Sequence, residues 1–472
     1  MKVNFFIAGG SGHWCELNHY PAILALKEDG IDARVAVICD PIDPYKTDSN
    51  HYRVGRKNLE KVLASDKPLW INPKDYSQNQ LKKKLARLLR EDIKIAIIAT
   101  NPTCHYFYAD LVVENRINVL CDKPLIVVPN SSWDINQALL IEQRFQNLLN
   151  KVRGNQKINT EYRFCTPLRR RALTPFIKIA ENLQRVYQRT NQGLTYINAI
   201  VNGGVHRYPV EFLKGGAHGY IDGVGSLSHS SYHYLDVIAW YLQSAPGDAA
   251  SIELTLPYVA RVEDYLRKQG YKQLMQINEE NPSVVVDGVE LSQNILNAEL
   301  DFTIHITLYD KQNQKIGLFS YTANHTTFTS RRTKYDPEML DHTNDKDGGR
   351  MSQIYFDIHQ GALQNWLLIK NDMVFGGNNI EITQRLHPDL GNPYLKEKFT
   401  DAYDSQTVTP KDLFVSFVKK SIRLHVPEIH DEHLQLLNTQ ELTHRIFSAS
   451  YELIAKKYAE PQNMHSIRIE LL

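Results

Sequence analysis

Thr100-Asn101-Pro102-Thr103-Cys104-His105 leads on to Asn118-Val119-Leu120-Cys121-Asp122-Lys123-Pro124, and the neighbouring elements take their places from this stretch. The apolar run from Ile93 to Ala99 stops at the Thr-Asn-Pro turn, an amphipathic helix follows, and a second apolar run ends at Asp-Lys-Pro. Two strand ends thereby deliver polar groups to one sheet edge. In an open parallel sheet ligands bind beyond the carboxyl ends of the strands, so Thr100, Asn101 and Lys123 fall at the expected place. The plainer alternative is that Asp-Lys-Pro is only a turn, because proline stops strands and charges suit loops.

Upstream, Val3 to Ala8 reads as a strand, followed by Gly9-Gly10-Ser11-Gly12-His13-Trp14-Cys15. A helix is expected from Cys15 to Glu28, with Gly30 ending it, and Ala33 to Cys39 forms the next strand, which stops at Asp40-Pro41. Strand, glycine turn, helix and strand make a βαβ unit. Its glycines let the backbone approach a pyrophosphate, and the helix N-terminus supplies N–H groups and partial positive charge. The match to G-x-G-x-x-G is Gly10-Ser11-Gly12-His13-Trp14-Cys15, with a small Cys at the position that packs helix on strand. Gly10, Ser11, Gly12, His13 and Trp14 are therefore candidates for cofactor binding, with Thr100, Asn101, His105 and Lys123 at the later strand ends. Asp40 is placed to hold ribose hydroxyls. Its carboxylate would repel a 2′-phosphate and no Arg follows it directly, so NAD is favoured over NADP.

Lys57 to Ser65 reads as a helix, Pro68 to Ile71 as a short strand, and Asn79 to Arg90 as a basic amphipathic helix. Its Lys82, Lys83, Lys84, Arg87 and Arg90 suit a solvated face.

The chain has 472 residues, 42% of them apolar, enough for two or three domains with sizeable cores. A net charge of +1 creates no single-signed field, which argues against nucleic acid or an anionic membrane as partner. No apolar run reaches the roughly 18 residues of a membrane span. Met1-Lys2 runs straight into the first strand, which does not read as a signal peptide. Cys15, Cys39, Cys104, Cys121 and Cys165 lack CxxC spacing and fit reduced thiols, so the cytoplasm is the expected location.

The glycine turn, Asp40-Pro41, the Thr-Asn-Pro turn with His105, and Asp122-Lys123-Pro124 together resemble the Gfo/Idh/MocA oxidoreductases, over about the first 124 residues. The family's usual Glu-Lys-Pro is Asp-Lys-Pro here. The resemblance implies an α/β chain: an N-terminal Rossmann dinucleotide-binding domain, 1–128, and a C-terminal α/β domain, 129–472, with a large, mostly antiparallel open sheet. It also implies NAD(P) as cofactor, a sugar, polyol or related carbonyl compound as substrate, and Lys123 beside the nicotinamide and the reacting hydroxyl.

Further on, Ile158 to Phe164 resembles the family's first strand after the cofactor domain, with Arg163 as a candidate substrate contact. A helix from Leu173 to Val186 and a strand from Thr195 to Asn202 follow. Gly223-Val224-Gly225-Ser226-Leu227-Ser228-His229-Ser230-Ser231-Tyr232-His233-Tyr234-Leu235-Asp236 then resembles the glycine turn and helix that carry the family's Asp and, four residues later, its catalytic His. His233 matches that His, Asp236 a later acidic residue, and His229 stands where the family has Asp. Residues four apart share a helix face, so both imidazoles can reach one ligand. A neutral His233 is suited to general base work, with Asp236 as an orienting group, a substrate contact or a solvated residue. Two close imidazoles would repel if both were protonated, so at least one pKa should fall. No glutamate lies between them and no further ligand is evident, so no metal is assigned. The competing structural reading makes both histidines hydrogen-bonded residues of an interface.

Strand patterns return at Ser251 to Leu256, Leu300 to Tyr309, Ile316 to Ala323 and Gln353 to His359. Such a sheet with one open face suits a homodimer or homotetramer. Lys411 to Arg423 and Thr439 to Lys457 read as helices. Val262 to Pro282, the charged loop Ser330 to Arg350, and Pro388 to Ser405 read as insertions. The expected activity is hydride transfer between nicotinamide and a carbinol carbon, with Lys123 polarising the oxygen and His233 as acid/base. The alternatives are an enzyme that keeps NAD bound and uses it transiently, in epimerisation or glycoside cleavage, and a non-catalytic NAD-binding regulator. Arg163, Lys214 and His218 are further candidate contacts, and none of them encodes a particular sugar.

Overall fold

The computed structural model describes residues 2–12, 14–42, 56–203, 219–267, 292–326, 353–371, 379–399, 409–424 and 436–471. The chain divides into two compact units. The first holds Met1–Val127, Gln143–Arg169 and Val408–Thr439; the second holds Val128–Glu142, Arg170–Thr407 and Gln440–Leu472. The chain thus returns twice to the first unit rather than crossing over once.

The first unit is built on six parallel strands: β1 (Lys2–Ala8), β2 (Asp32–Cys39), β3 (Leu69–Ile71), β4 (Ile93–Ile98), β5 (Asn118–Cys121) and β6 (Phe164–Cys165). Their order across the sheet is β3-β2-β1-β4-β5-β6. This order is that of a dinucleotide-binding sheet, in which the strand order, not the strand direction, reverses between β1 and β4. The strands are near-continuous apolar runs, as a sheet covered on both faces requires. The covering helices are α1 (Tyr20–Glu28), α2 (Lys57–Asp66), α3 (Gln78–Arg90), α4 (Pro102–Glu114) and the later turns of α5 (Ile135–Ile158). A Ser77–Gln80 capping box starts α3, satisfying helix-end N–H groups. Its basic face meets acid at Lys82, 3.0 Å from Glu114 on α4, and Lys151 of α5 lies 2.5 Å from Asp110 of the same helix α4. The core around Phe5, Ile7, Tyr20, Leu26, Val35 and Ile95 also takes in Leu413, Phe414, Phe417 and Val418. These come from the late helix Pro410–Ser421, and the Phe414 ring stacks on Phe5 at 6.0 Å.

Two expectations are corrected here. Ile158 to Phe164 is not a strand, because α5 runs through Ile158 and only Phe164–Cys165 pairs with β5. The single helix expected from Cys15 to Glu28 is divided: Cys15–His19 is a π turn, closed by Tyr20 N–H donating to the Cys15 carbonyl, and α1 begins after it.

The second unit carries nine strands: β7 (Tyr196–Asn202), β8 (Ser251–Arg261), β9 (Glu299–Tyr309), β10 (Lys315–Asn324), β11 (Gln353–Gln360), β12 (Gln364–Asn371), β13 (Ile380–Leu386), β14 (Tyr394–Phe399) and β15 (Ser466–Glu470). The order is β14-β13-β12-β11-β7-β10-β9-β8-β15, antiparallel except for the β7–β10 pair. Burial alternates along β7, β11 and β12. One face, with Phe356 and Tyr321, packs beneath α6 (Thr174–Thr190) and α7 (Tyr232–Ser244). The other presents half-exposed Ile200, Tyr355, Leu367 and Ile369. Within the expected insertion Pro388 to Ser405, Tyr394–Phe399 forms the edge strand. The charged loop Ser330 to Arg350 and most of Val262 to Pro282 lie outside the described residues, as do Lys214 and His218. No helix among the described residues is long and apolar enough to cross a membrane.

Candidate functional site

The register of the first sheet aligns Ala8 with Cys39 and with Ile98, and Ile98 with Cys121. The residues that follow, Gly9, Asp40, Thr100 and Lys123, therefore leave the sheet at one carboxyl edge. The glycine turn is held from below by Gly9 N–H donating to the Cys39 carbonyl and by the Tyr20 hydroxyl donating to the Gly10 carbonyl at 2.6 Å. Cys15, in place of the third glycine, is fully buried with its Sγ 3.4 Å from the Gly9 carbonyl oxygen. Burial and the nearby Asp122 and Asp40 charges push its thiol pKa up. A small side chain thus does serve the helix-on-strand contact.

Asp40 is 3% exposed and tied into the turn. Its Oδ2 accepts from both the backbone N–H and the hydroxyl of Ser11 at 2.8 Å, and its Oδ1 accepts from Ile42 N–H at 2.8 Å. Burial raises its pKa, opposed by those hydrogen bonds and by Arg56. Arg56, sixteen positions on, is an electrostatic partner that adjacency in sequence did not reveal. A Cβ on Gly12 would meet only the carbonyl oxygens of Gly9 and Ala99, at 3.3 and 3.6 Å. The 3.3 Å approach to the Gly9 carbonyl already crowds a side chain there, and glycine leaves bare backbone at the head of the helix. That surface fits a pyrophosphate, and the Asp40 carboxylate fits a ribose hydroxyl through lone pairs beyond its three hydrogen bonds. Trp14, 44% exposed, begins the helical turn, and His13 lies outside the described residues.

On the other side of β1, Asn101 caps α4, its Oδ1 accepting from Thr103 N–H and Oγ at 3.1 Å. His105 is 1% exposed; its Nδ1 lies 2.8 Å from the Pro124 carbonyl oxygen and its Nε2 3.0 Å from that of Thr100. Each ring nitrogen lies within hydrogen-bond distance of a carbonyl oxygen, so His105 braces the two turns. Burial lowers its pKa, against the pull of Asp122. Lys123 is half-buried and precedes a cis proline. Asp122 meets His19, whose Nε2 is 3.2 Å from Oδ1.

In the second unit, the 3-10 turn Tyr220–Asp222, the glycines and the π turn Leu227–Ser231 lead into α7. A fully buried carboxylate organises this entry. Glu299 accepts from Gly225 N–H at 2.8 and 2.9 Å, from Leu227 N–H at 3.0 Å, from Tyr451 at 3.1 Å and from Ser132. These donors satisfy the acceptors of a carboxylate whose pKa burial pushes up. Gly225 is required by close approach, because a Cβ there would lie inside the Glu299 carbonyl oxygen.

His229 is 6% exposed, with Nε2 3.2 Å from the Tyr220 hydroxyl and its ring edge-on to His325 at 5.3 Å. The His325 Nε2 is 2.8 Å from Ser230 Oγ. His233 is half-buried on α7. Asp236, expected as an orienting group or substrate contact, is corrected. It is 0% exposed and receives Arg171 at two points, Nε to Oδ2 at 2.8 Å and Nη2 to Oδ1 at 2.7 Å, with Thr443 donating at 2.8 Å. Among the described residues no group of His, Cys, Asp and Glu could hold a metal.

Arg163 is also corrected. Its N–H donates to Asn118 Oδ1, and its Nη1 donates to the Glu161 carboxylate and carbonyl at 3.0 Å. It therefore precedes β6 at the amino end, opposite the edge that carries Lys123. The arginines that follow the carboxyl end are Arg169, Arg170 and Arg171, and Arg170 donates to the Tyr234 hydroxyl at 2.7 Å beneath α7. Sequence reasoning missed His19, Tyr220, Glu299, His325 and Arg171. Only the Arg169-Arg170-Arg171 run carried a local signal.

The first unit is thus a Rossmann domain of the NAD-binding type. Residues 74–146 match the GFO_IDH_MocA family, described as an oxidoreductase family with an NAD-binding Rossmann fold. No curated protein matches in sequence. Among solved structures, aldose-aldose oxidoreductase from Caulobacter crescentus is similar with a TM-score of 0.53 at 10% identity, over 100% of both chains. Levoglucosan dehydrogenase gives 0.53 at 11% identity, over 100% of this chain and 99% of that one. The transcriptional regulator Gal80p from Kluyveromyces lactis gives 0.55 at 12% identity, over 100% and 91%. The chain therefore resembles the Gfo/Idh/MocA oxidoreductases in sequence over the matched stretch and in fold along its length.

Proposed function

We propose that the chain is an NAD-dependent oxidoreductase that transfers a hydride between nicotinamide and a carbinol or carbonyl carbon of a sugar, cyclitol or related small molecule. The observation that carries this reading is the shared carboxyl edge of Gly12, Asp40, Thr100 and Lys123 in a 3-2-1-4-5-6 sheet. The bare Gly12 backbone would take the pyrophosphate, with Trp14 beside it, and Asp40 the ribose, with NAD preferred over NADP because the carboxylate repels a 2′-phosphate. When bound, the nicotinamide supplies the hydride acceptor or donor. The Lys123 ammonium would bind and polarise the reacting oxygen, and His233 would take or return its proton. His229 would orient that oxygen in place of a carboxylate. Residues 1–128 would then serve the cofactor and 129–472 the substrate and a homodimer or homotetramer, formed through the half-exposed face of Ile200, Tyr355, Leu367 and Ile369.

The dehydrogenase and aldose-oxidoreductase names of two structural neighbours favour sugar-like substrates. A second reading, an NAD-binding regulator without turnover, is favoured by His229 at the family's Asp position and by the regulator among the neighbours. Native mass spectrometry of the purified protein, then denaturation and identification of released nucleotide, tests the cofactor. A polyol and sugar panel followed by NADH absorbance tests turnover. Activity that vanishes in Lys123→Ala supports the enzyme; NAD binding with no turnover on any member of the panel supports the regulator. Product formed without accumulating NADH would instead identify transient use of bound NAD.

A further inference from the structure

Asp122 adjoins the Lys123 of the reading above, and its carboxylate is engaged by a residue far away in sequence. His19 is 3% exposed, and its Nε2 lies 3.2 Å from Asp122 Oδ1. Its ring packs against Phe414 at 5.7 Å, tilted by 42°. The other ring nitrogen, Nδ1, is buried with no hydrogen-bond partner among the described residues. A nitrogen without an acceptor is best left as a bare lone pair, which puts the ring hydrogen on Nε2, pointing at the carboxylate. If this position only filled space against Phe414, an apolar side chain would do so without stranding a polar atom.

The backbone is shaped for this contact. His19 closes the π turn Cys15–His19, which carries one residue more than an α-helical turn. Removing a residue would rotate the ring by roughly 100° about the helix axis, away from β5. The Asp122 charge also acts on Cys15 and His105, so it contributes negative potential at this corner, with Asp40 and Glu16 beside it at Cys15.

We propose that His19 is a positioning residue for the Asp122-Lys123 corner: its Nε2–H holds the Asp122 carboxylate toward α1, fixing the distance between that carboxylate and the Lys123 amine. The proposal rests on Lys123 being the working amine of the cofactor edge. Releasing Asp122 lets the carboxylate turn to its neighbour, and an opposite charge at close range favours the ammonium form. The amine should then become harder to deprotonate.

The test uses the full chain without substrate. Labelling of Lys123 by acetic anhydride across pH, quantified by mass spectrometry of its peptide, reads the apparent pKa of that amine. His19→Ala should slow labelling below the pKa by about threefold, the equivalent of half a pKa unit. His19→Gln, whose amide N–H reaches the same place, should restore the wild-type rate. In an Asp122→Asn background His19→Ala should change nothing, and this pair decides the matter if His19→Ala alone fails to fold. Unchanged labelling in folded His19→Ala, or a His19→Gln as slow as His19→Ala, would overturn the proposal. NADH fluorescence titration and turnover of Lys123→Ala report separately on the role of Lys123, so the two readings fail independently.

Discussion

Arg171 and Asp236 form a two-point ion pair in the second unit, with the arginine 6% and the aspartate 0% exposed. The pair joins the short turn before α6 to the middle of α7, and Thr443 completes the carboxylate's partners. Removing one member leaves a buried charge alone, which costs about 3–5 kcal/mol. Asp236→Ala should lose that much in urea unfolding, whereas the Arg171→Met, Asp236→Leu double variant should lose much less. A single variant within about 1 kcal/mol of wild type would mean that water reaches the site, which the burial excludes.

Stability should fall in mild acid through His444. This ring is 0% exposed, its Nε2 lies 2.8 Å from the Tyr232 hydroxyl, and burial depresses its pKa to about 3. In the unfolded chain it titrates near 6.5, so between the two values the unfolded state binds more protons. The contribution is complete above about pH 6.5 and is lost as pH falls toward about 3, on the order of 5 kcal/mol in all. Urea midpoints from pH 4 to 8 should show this slope, and His444→Gln should flatten it.

Gly225→Ala should disable the second unit. The new Cβ would collide with the Glu299 carbonyl, and the turn cannot retreat without breaking the Gly225 and Leu227 N–H bonds to the Glu299 carboxylate. Circular dichroism and yield of folded protein provide the check, with Ser230→Ala as a neighbouring control.

Asp40→Asn should change cofactor choice more than fold. The amide oxygen can still accept from Ser11 or Ile42, but the charge facing a 2′-phosphate is gone, with Arg56 nearby. The NADPH-to-NADH affinity ratio should rise by about tenfold, the scale of one screened charge pair. An unchanged ratio in paired fluorescence titrations would remove Asp40 from the ribose site.

His233→Ala should abolish hydride transfer on whichever substrate the panel identifies, while His229→Asp keeps part of it. Turnover of His233→Ala equal to wild type would rule out that ring as the base.

The carboxyl edge of the first sheet was readable because its information is local: glycines, a strand-end Asp and Asp-Lys-Pro all sit at strand boundaries that the apolar runs mark. Arg163 was misplaced for an equally physical reason. Its apolar neighbours fit either a strand or the end of α5, and moving the strand start by a few residues carries the arginine to the other sheet edge. Glu299, Tyr220 and His19 were not legible, since each gains its meaning from a partner at least nine residues away. Asp236 looked like part of a reactive helix face until Arg171 and Thr443 were found on it. The helix Pro410–Ser421 was readable as a helix, yet nothing in its periodicity said which core it would enter.

That last placement bears on how the chain is made. Phe414 and its neighbours are part of the core that holds β1, yet a ribosome translates them some four hundred residues after β1. Through most of synthesis the nascent first unit must carry an uncovered apolar patch on α1. That core can close only once the wall supplied by Leu413, Phe414, Phe417 and Val418 has been made.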